Sequence, residues 1–240
     1  MNVSPKRALL GILAASILAM YGSMTPAQQP STESVVRKID AAVKARIDNL
    51  AGYTVTEHYV VYRSNDTIHP AAEMIVKTTY NQKLGKSYLI VSESGTVVML
   101  NLVLHAILEN EKHLNRPDIR ESAWITSANY QMNLKFGEPQ SIDGRDCMVL
   151  SLIPKRKAPY LFQGTLWVDS KDGSIVQLDG TAAKSPSMVT RPARVIRQYA
   201  SIDGYSQATH ASAVSESSMF GETIVKIDYQ DYQIQLRPSF

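Results

Sequence analysis

The chain has 240 residues, a single cysteine, 44% hydrophobic residues and a formal net charge of +3. One cysteine excludes an intramolecular disulfide framework, and the weak net charge offers no electrostatic footprint for nucleic acid. The sequence contains no phosphate-binding loop, dinucleotide-binding fingerprint or calcium-binding loop. We therefore expect a protein that depends on its hydrophobic core for stability and that does not bind nucleic acid.

The first 27 residues are predicted to form a secretory signal peptide. Lys6 and Arg7 precede an apolar run over residues 8–20, and small or turn-forming residues lead to a cleavage position after Ala27. The run is too short to span a bilayer, which takes about 20 residues, although an uncleaved anchor is the alternative. We expect cleavage to leave one exported domain, residues 28–240, with a net charge of about +1.

An amphipathic helix and then three strands are predicted next. The segment "STESVVRKIDAAVKARIDNL" places apolar residues at helical spacing, with Ser31 or Thr32 as the N-cap and Gly52 at the end of the helix. After this helix the apolar period changes to two. Three antiparallel strands joined by hairpins are therefore expected at "YTVTEHYVVYR", "AAEMIVKTTYN" and "KSYLIVSES".

A second helix is predicted at "TVVMLNLVLHAILENEKHL". Its first two turns are apolar nearly all round, which is typical of a helix that is buried on most sides. Further along, His105, Glu109 and His113 follow each other at a spacing of four residues, which could serve a metal ion. We favour the alternative that these are ordinary surface pairs, and we expect no metal and no cofactor.

The rest of the chain is predicted to contain strands only. Turn signals such as "DSKDGS" separate these segments and indicate an antiparallel meander, curved or closed. The seven predicted strands are "NYQMNLKF", "DCMVLSLIP", "YLFQGTLWVDS", "GSIVQLDGTAA", "ARVIRQYASI", "YSQATHASAVSE" and "ETIVKIDYQDYQIQL".

This order of elements resembles the LolA/LolB-like family of lipoprotein carriers, a fold that RseB-like periplasmic regulators share in part. The resemblance is carried by "SYLIVSESGT", which runs directly into the apolar helix, and by the hairpin "LWVDSKDGSIVQLDG". It implies an α+β, mainly antiparallel β fold: a strongly curved half-barrel with helices across its concave face around an apolar cavity. The classical carrier has a lid-closing arginine on its second strand, whereas this chain has Lys77 in "MIVKTTYN". The chemistry of the lid latch therefore does not carry over.

The apolar residues favour a binding function over catalysis. No nucleophile motif is present, and Cys147 lies in an alternating apolar strand, where a free cysteine is normally a small buried hydrophobe. Methionines and the apolar helix are expected to line the cavity, although an interior filled completely by the core is the alternative. The predicted ligand-binding residues are Met74, Val76, Met99, Leu100, Val103, Leu104, Ile107, Met132 and Trp167.

Three cations, Lys155, Arg156 and Lys157, stand between two predicted strands. They form either a solvated hairpin loop or a contact for lipid headgroups or an acidic partner at the mouth of the cavity. The resemblance implies a non-catalytic periplasmic carrier of lipoproteins, lipids or other acylated ligands, with a partner protein at the inner or outer membrane. The alternative is an RseB-like sensor or regulatory module that acts by protein docking.

Overall fold

The computed structural model describes residues 30–63, 65–136, 140–184, 192–217 and 221–238. The predicted signal peptide and its cleavage position lie outside these ranges.

Helix α1 (Thr32–Asn49) begins as the sequence predicts and ends earlier. The side chain of Ser31 caps it by accepting a hydrogen bond from the Ser34 backbone N–H at 3.2 Å. The expectation that Gly52 ends the helix is wrong, because Gly52 lies inside the first strand. A Cβ atom at Gly52 would come within 2.5 Å of the carbonyl oxygen of Tyr80, so this position needs a glycine for the close approach of two strands.

Three hairpin-linked strands follow, as predicted. They are β1 (Leu50–Arg63), β2 (Ala72–Asn81) and β3 (Gly85–Gly95). All three pair antiparallel, and in β2 buried residues alternate with exposed ones. One face of this part of the sheet therefore meets the core, and the other faces solvent.

The predicted apolar helix is present, and its burial differs from the expectation. The α-helical segment Val97–Met99, the π-helical segment Leu100–His105 and the α-helical segment Ala106–Leu114 form one continuous helix, which we call α2. Burial on most sides is wrong, because Val97 is 70% exposed and Leu102 is 61% exposed. The helix starts at the end of β3, which is an edge strand, so only one side of α2 meets the sheet.

The second half of the chain contains strands, as predicted, and each of the seven predicted segments overlaps one of them. A short 3₁₀ turn (Arg120–Ala123) leads from α2 into this half. The three-residue strand β5 was not predicted, because it is too short to show a period. The strands are β4 (Tyr130–Leu134), β5 (Gln140–Ile142), β6 (Arg145–Pro154), β7 (Phe162–Asp169), β8 (Ile175–Ala182), β9 (Arg194–Ile202), β10 (Tyr205–Ser217) and β11 (Gly221–Leu236).

All the strands belong to one antiparallel sheet that does not close on itself. Its order is β3-β2-β1-β11-β10-β9-β8-β7-β6-β4, and β5 pairs with the far end of β6. Both helices lie on the same face, which we call the inner face. The structure confirms the predicted fold class, an open antiparallel half-barrel with helices across its inner face.

The two helices bury different halves of the inner face. Val35 and Ile39 of α1 pack against β4, β6, β7 and β8. Met99, Leu104 and Leu108 of α2 pack against β1, β2, β10 and β11. The helices therefore cover two hydrophobic cores, and strand β9 lies between them. A third and smaller cluster is formed by Leu50, Tyr53 and Val55 on β1.

Polar contacts fix α1 over its half of the sheet. The Lys38 ammonium donates to the carbonyl oxygens of Ser170 and Lys171, at 3.0 and 3.3 Å, in the β7–β8 turn. At Gly173, in the same turn, φ is +75° and a Cβ atom would come within 2.7 Å of the α1 backbone. The turn therefore approaches the helix so closely that only glycine fits there.

Candidate functional site

A cavity of about 650 Å³ lies between the two cores. Its walls come from α1, the end of α2, the loop before β4, and the inner faces of strands that include β8, β9 and β10. Strand β9, which is described along its whole length, has no fully buried residue, because the cavity lies in front of it. Ala45, Pro159 and Asp172 line the cavity and are also exposed, so the cavity opens to solvent.

One part of the wall is apolar and aromatic. Trp124 belongs to the loop between α2 and β4, and Ala42 and Val43 come from α1. Further apolar lining comes from Ile125, Phe162, Ile175, Leu178 and Val195. Seven tyrosines complete this surface: Tyr53, Tyr130, Tyr160, Tyr199, Tyr205, Tyr229 and Tyr232. The wall can therefore accept an apolar chain and still offer phenol hydroxyls as hydrogen-bond donors.

Another part of the wall holds a charged cluster. The Glu111 carboxylate accepts from the Lys86 ammonium at 2.8 Å through one oxygen and from the Arg197 guanidinium at 3.3 Å through the other. Burial alone would raise the pKa of Glu111, but attraction to Lys86 and Arg197 outweighs burial and lowers this pKa to about 2. The same attraction to Glu111 raises the pKa of Lys86 against the effect of its own burial. All three side chains are therefore charged at neutral pH.

Two more arginines line the polar wall. Arg46, near the end of α1, donates to the side-chain oxygen of Gln207 at 3.0 Å. Arg120, in the 3₁₀ turn, donates to the carbonyl oxygen of Gln82 and to the Tyr80 hydroxyl. Among the residues that the structure describes, the cavity is lined by four cations, Arg46, Lys86, Arg120 and Arg197, and by two carboxylates, Glu111 and Asp172.

Eight of the nine residues predicted from the sequence to bind ligand lie in or against the two cores instead. Among the described residues, none of the nine lines the cavity. Met74, Val76, Met99 and Leu104 are buried in the core under α2, and Met132 is buried in the core under α1. Leu100, Val103 and Ile107 are partly buried and pack against the core under α2. Contact between any of these residues and a ligand stays a prediction.

Trp167 and Lys77 both lie on the outer face of the sheet. Trp167 alternates with the buried Leu166 and Val168, and its indole N–H donates to Gln140 at 2.6 Å. Lys77 is exposed and precedes the buried Thr78. Lys77 therefore points away from both helices, so it does not occupy the place of a lid-closing residue.

The basic loop lies beside the cavity. Lys155, Arg156 and Lys157 are all exposed, and Pro159 and Tyr160, which follow them, line the cavity. Arg156 donates to the Asn129 side chain at 2.8 Å and to the carbonyl oxygen of Ser122. Arg156 therefore anchors the loop that carries Trp124, and the two lysines extend from the same rim.

The histidine stripe on α2 is not gathered into a metal site. His105 pairs with Glu93 of the neighbouring strand β3 at 2.8 Å, and not with Glu109 of its own helix. No group of three or more potential metal ligands occurs within the part of the chain that the structure describes. Cys147 is buried on β6, and burial raises the pKa of its thiol.

The charged residues of the cavity wall were not predicted from the sequence. The sequence places Glu111 in the last turns of a predicted helix and Lys86 at the start of a predicted strand, and nothing in the sequence links the two residues. In β9, Val195, Arg197 and Tyr199 share the inner face, but the outer face is just as mixed, with Arg194, Ile196 and Gln198. A pattern of this kind does not indicate which face is covered.

Comparison with solved structures gave matches over most of the chain. A LolA superfamily protein from Nitrosomonas europaea matches 87% of this chain and 96% of its own, with 13% identity and a TM-score of 0.46. An outer membrane lipoprotein-sorting protein domain from Vibrio parahaemolyticus matches 85% and 94%, with 12% identity and a TM-score of 0.48. A DUF1329 family protein from Desulfovibrio piger matches 88% and 96%, with 14% identity and a TM-score of 0.43.

One of these matches is described as a LolA superfamily protein, but identities of 12–14% and TM-scores below 0.5 carry no conclusion about this chain. No family model matches the chain, and no curated protein has a significantly similar sequence. Within the described ranges, every helix is too short or too polar to cross a membrane.

Proposed function

We propose that the protein binds and carries an acylated or otherwise apolar ligand without catalysing a reaction. The observation that supports this most strongly is the cavity of about 650 Å³ between α1, α2 and strand β9. Pockets that bind small molecules have volumes of about 300–1,000 Å³ and are mostly apolar, with a few polar groups. An acyl chain buried against Trp124, Phe162 and Leu178 would gain about 0.8 kcal/mol for each methylene group removed from water.

The proposal includes a location and partners. The predicted signal peptide would export the chain to the periplasm, where its cargo would be the acyl chains of a lipoprotein or lipid. A membrane partner protein would load or receive that cargo. Lys155 and Lys157 support a contact with lipid headgroups or an acidic partner, because both extend from the rim of the cavity. Each cation near an anionic membrane gains on the order of 1 kcal/mol.

A second candidate function is sensing or regulation through protein docking. It is favoured by the exposed apolar edge, which consists of Leu89 and Val91 on β3 and of Val97 and Leu102 on α2. Strand β3 is also a terminal strand of the open sheet. Such an edge can accept a strand from a partner protein.

Native mass spectrometry of the protein purified from its own periplasm tests the carrier function. A co-purified acyl species at one per chain, identified after solvent extraction, is the expected result. A bare protein mass that also resists loading with lysophospholipid would contradict the carrier function and leave docking as the candidate. A pull-down then separates the two functions, because lipoprotein export components indicate the carrier and transcriptional regulators indicate the sensor.

A further inference from the structure

Several residues of the polar wall carry buried N–H groups that have no hydrogen-bond acceptor. Among the described residues, seven buried side-chain nitrogen or oxygen atoms have no hydrogen-bond partner, and four of the seven are N–H donors of cavity-lining residues. These four are Nε of Arg46, Nε of Arg120, Nε of Arg197 and Nε2 of Gln207. Buried donors without an acceptor cost folding free energy, so their concentration in one cavity needs an explanation.

The orientation of the Gln207 side-chain amide follows from its contact with Arg46. The residue is 2% exposed, and its side-chain oxygen accepts from Arg46 at 3.0 Å. A guanidinium group can only donate, so the amide oxygen must face Arg46 and the amide nitrogen must face away from it. The buried Nε2 of Gln207 therefore remains a donor beside the guanidinium of Arg46.

Cations are also in excess around the cavity. Each oxygen of Glu111 already accepts from a cation, one from Lys86 and the other from Arg197. The other lining carboxylate, Asp172, is exposed and accepts from the Ser174 backbone N–H in its own turn. Among the described residues, four lining cations stand against two lining carboxylates and the buried carboxyl group of Glu57 beside Lys86. Cations still outnumber carboxyl groups, which favours an anion in the cavity.

We propose that this polar wall binds the anionic group of an amphiphile, a carboxylate or a phosphate, while the apolar wall binds its chain. The inference rests on the proposed function and adds the class of headgroup to it. The buried N–H groups of Arg46 and Gln207 turn toward the anion when it binds, and Arg197 supplies further positive charge from the neighbouring strand β9. Trp124, Phe162 and Leu178 take the chain.

A matched pair of ligands tests this assignment. Dodecanoate and dodecanol have the same chain length, and at pH 8 only the carboxylate carries a charge. The chain has two tryptophans, Trp124 in the cavity wall and Trp167 outside it, so Trp167→Phe leaves a single fluorophore at the site. Titration is done below the micellar concentration in this background, with inorganic phosphate as a third ligand.

The test variant is Arg46→Met, and its control is Arg37→Met. Arg37 lies on the same helix but pairs with Glu33 on the surface. We expect dodecanoate to bind at least about tenfold more tightly than dodecanol, since a hydrogen bond to a charged group is worth about 1.5–3 kcal/mol. Arg46→Met should remove most of that difference in affinity, while Arg37→Met should alter the binding of neither ligand.

The other outcomes overturn the inference in distinguishable ways. Equal affinities for dodecanoate and dodecanol would show that the donors hold water, and the carrier function would stand without a headgroup site. Binding of phosphate alone, with no binding of either amphiphile, would assign the wall to a free small anion. Failure of all three ligands to bind would contradict both the inference and the carrier function.

Discussion

Replacing Glu111 with glutamine tests whether one carboxylate holds the polar wall of the cavity together. The carboxylate bridges Lys86 and Arg197, and the side chains of Glu111, Lys86 and Arg197 are 21%, 11% and 31% exposed. Glutamine keeps the shape of the side chain but removes its charge. Lys86 and Arg197 would then face each other without compensation, which is costly for partly buried cations.

The magnitude follows from the pKa of Glu111. Burial opposes ionisation, but Lys86 and then Arg197 lower this pKa from 4.5 to about 2. One pKa unit corresponds to about 1.4 kcal/mol, so ionised Glu111 stabilises the folded state by about 3 kcal/mol at pH 7. Because the folded pKa lies below the unfolded one, this contribution is complete above about pH 4.5 and is lost as the pH falls toward 2. At pH 3 about 1.4 kcal/mol should remain.

Urea unfolding followed by circular dichroism at pH 7 and pH 3 measures the effect. The difference in unfolding free energy between the wild type and Glu111→Gln should be about 3 kcal/mol at pH 7 and about half of that at pH 3. Glu33→Gln is the control, because Glu33 forms an exposed pair on α1 and its loss should leave the urea midpoint unchanged. A difference that is the same at both pH values, or absent at both, would refute the assignment of Glu111 as the central charge.

Three further predictions concern α1 and the cavity wall. Gly173→Ala should destabilise the protein in urea unfolding by about 1–3 kcal/mol more than the control Gly144→Ala. Both glycines have φ +75°, but only Gly173 lies against the backbone of α1. Equal effects of the two substitutions would contradict the close approach of the turn to the helix. Asp40→Ala removes two contacts to Ser127, at 2.8 and 2.6 Å, and should lower the unfolding free energy by about 1–3 kcal/mol; no change would show that α1 is held by its apolar face alone. Ala42→Phe should fill part of the cavity and reduce the loading of lysophospholipid that native mass spectrometry detects, with little change in melting temperature. Undiminished loading would show that the ligand binds elsewhere.

The strands were predictable because their signals are local. Alternating segments separated by turns such as the one at Gly173 gave seven strands in the second half, and Ser31 was correctly predicted as an N-cap of α1. The misplaced helix end at Gly52 has a tertiary cause, since that glycine is required by a neighbouring strand and not by the helix. Local patterns do not report such contacts.

The cavity could be expected from the resemblance, but its wall could not be assigned. Apolar character alone suggested that α2 and its methionines line the interior, yet Met99 and Leu104 fill a core and Val97 faces solvent. The residues that do line the cavity include Arg197, which is polar, and Ala42, which is small. Their position depends on how far apart two helices lie on the sheet, and no spacing along the sequence encodes that distance.

The most direct test of the account is to locate a bound chain by fluorescence quenching. A lysophospholipid with a brominated acyl chain is added to two single-tryptophan variants, Trp167→Phe and Trp124→Phe. Trp124 lines the cavity, whereas Trp167 lies on the outer face of the sheet. A chain bound in the cavity should quench Trp124 saturably and leave Trp167 unquenched. Quenching of Trp167 alone, equal quenching of both, or no quenching of either would contradict the claim that the cavity holds the ligand.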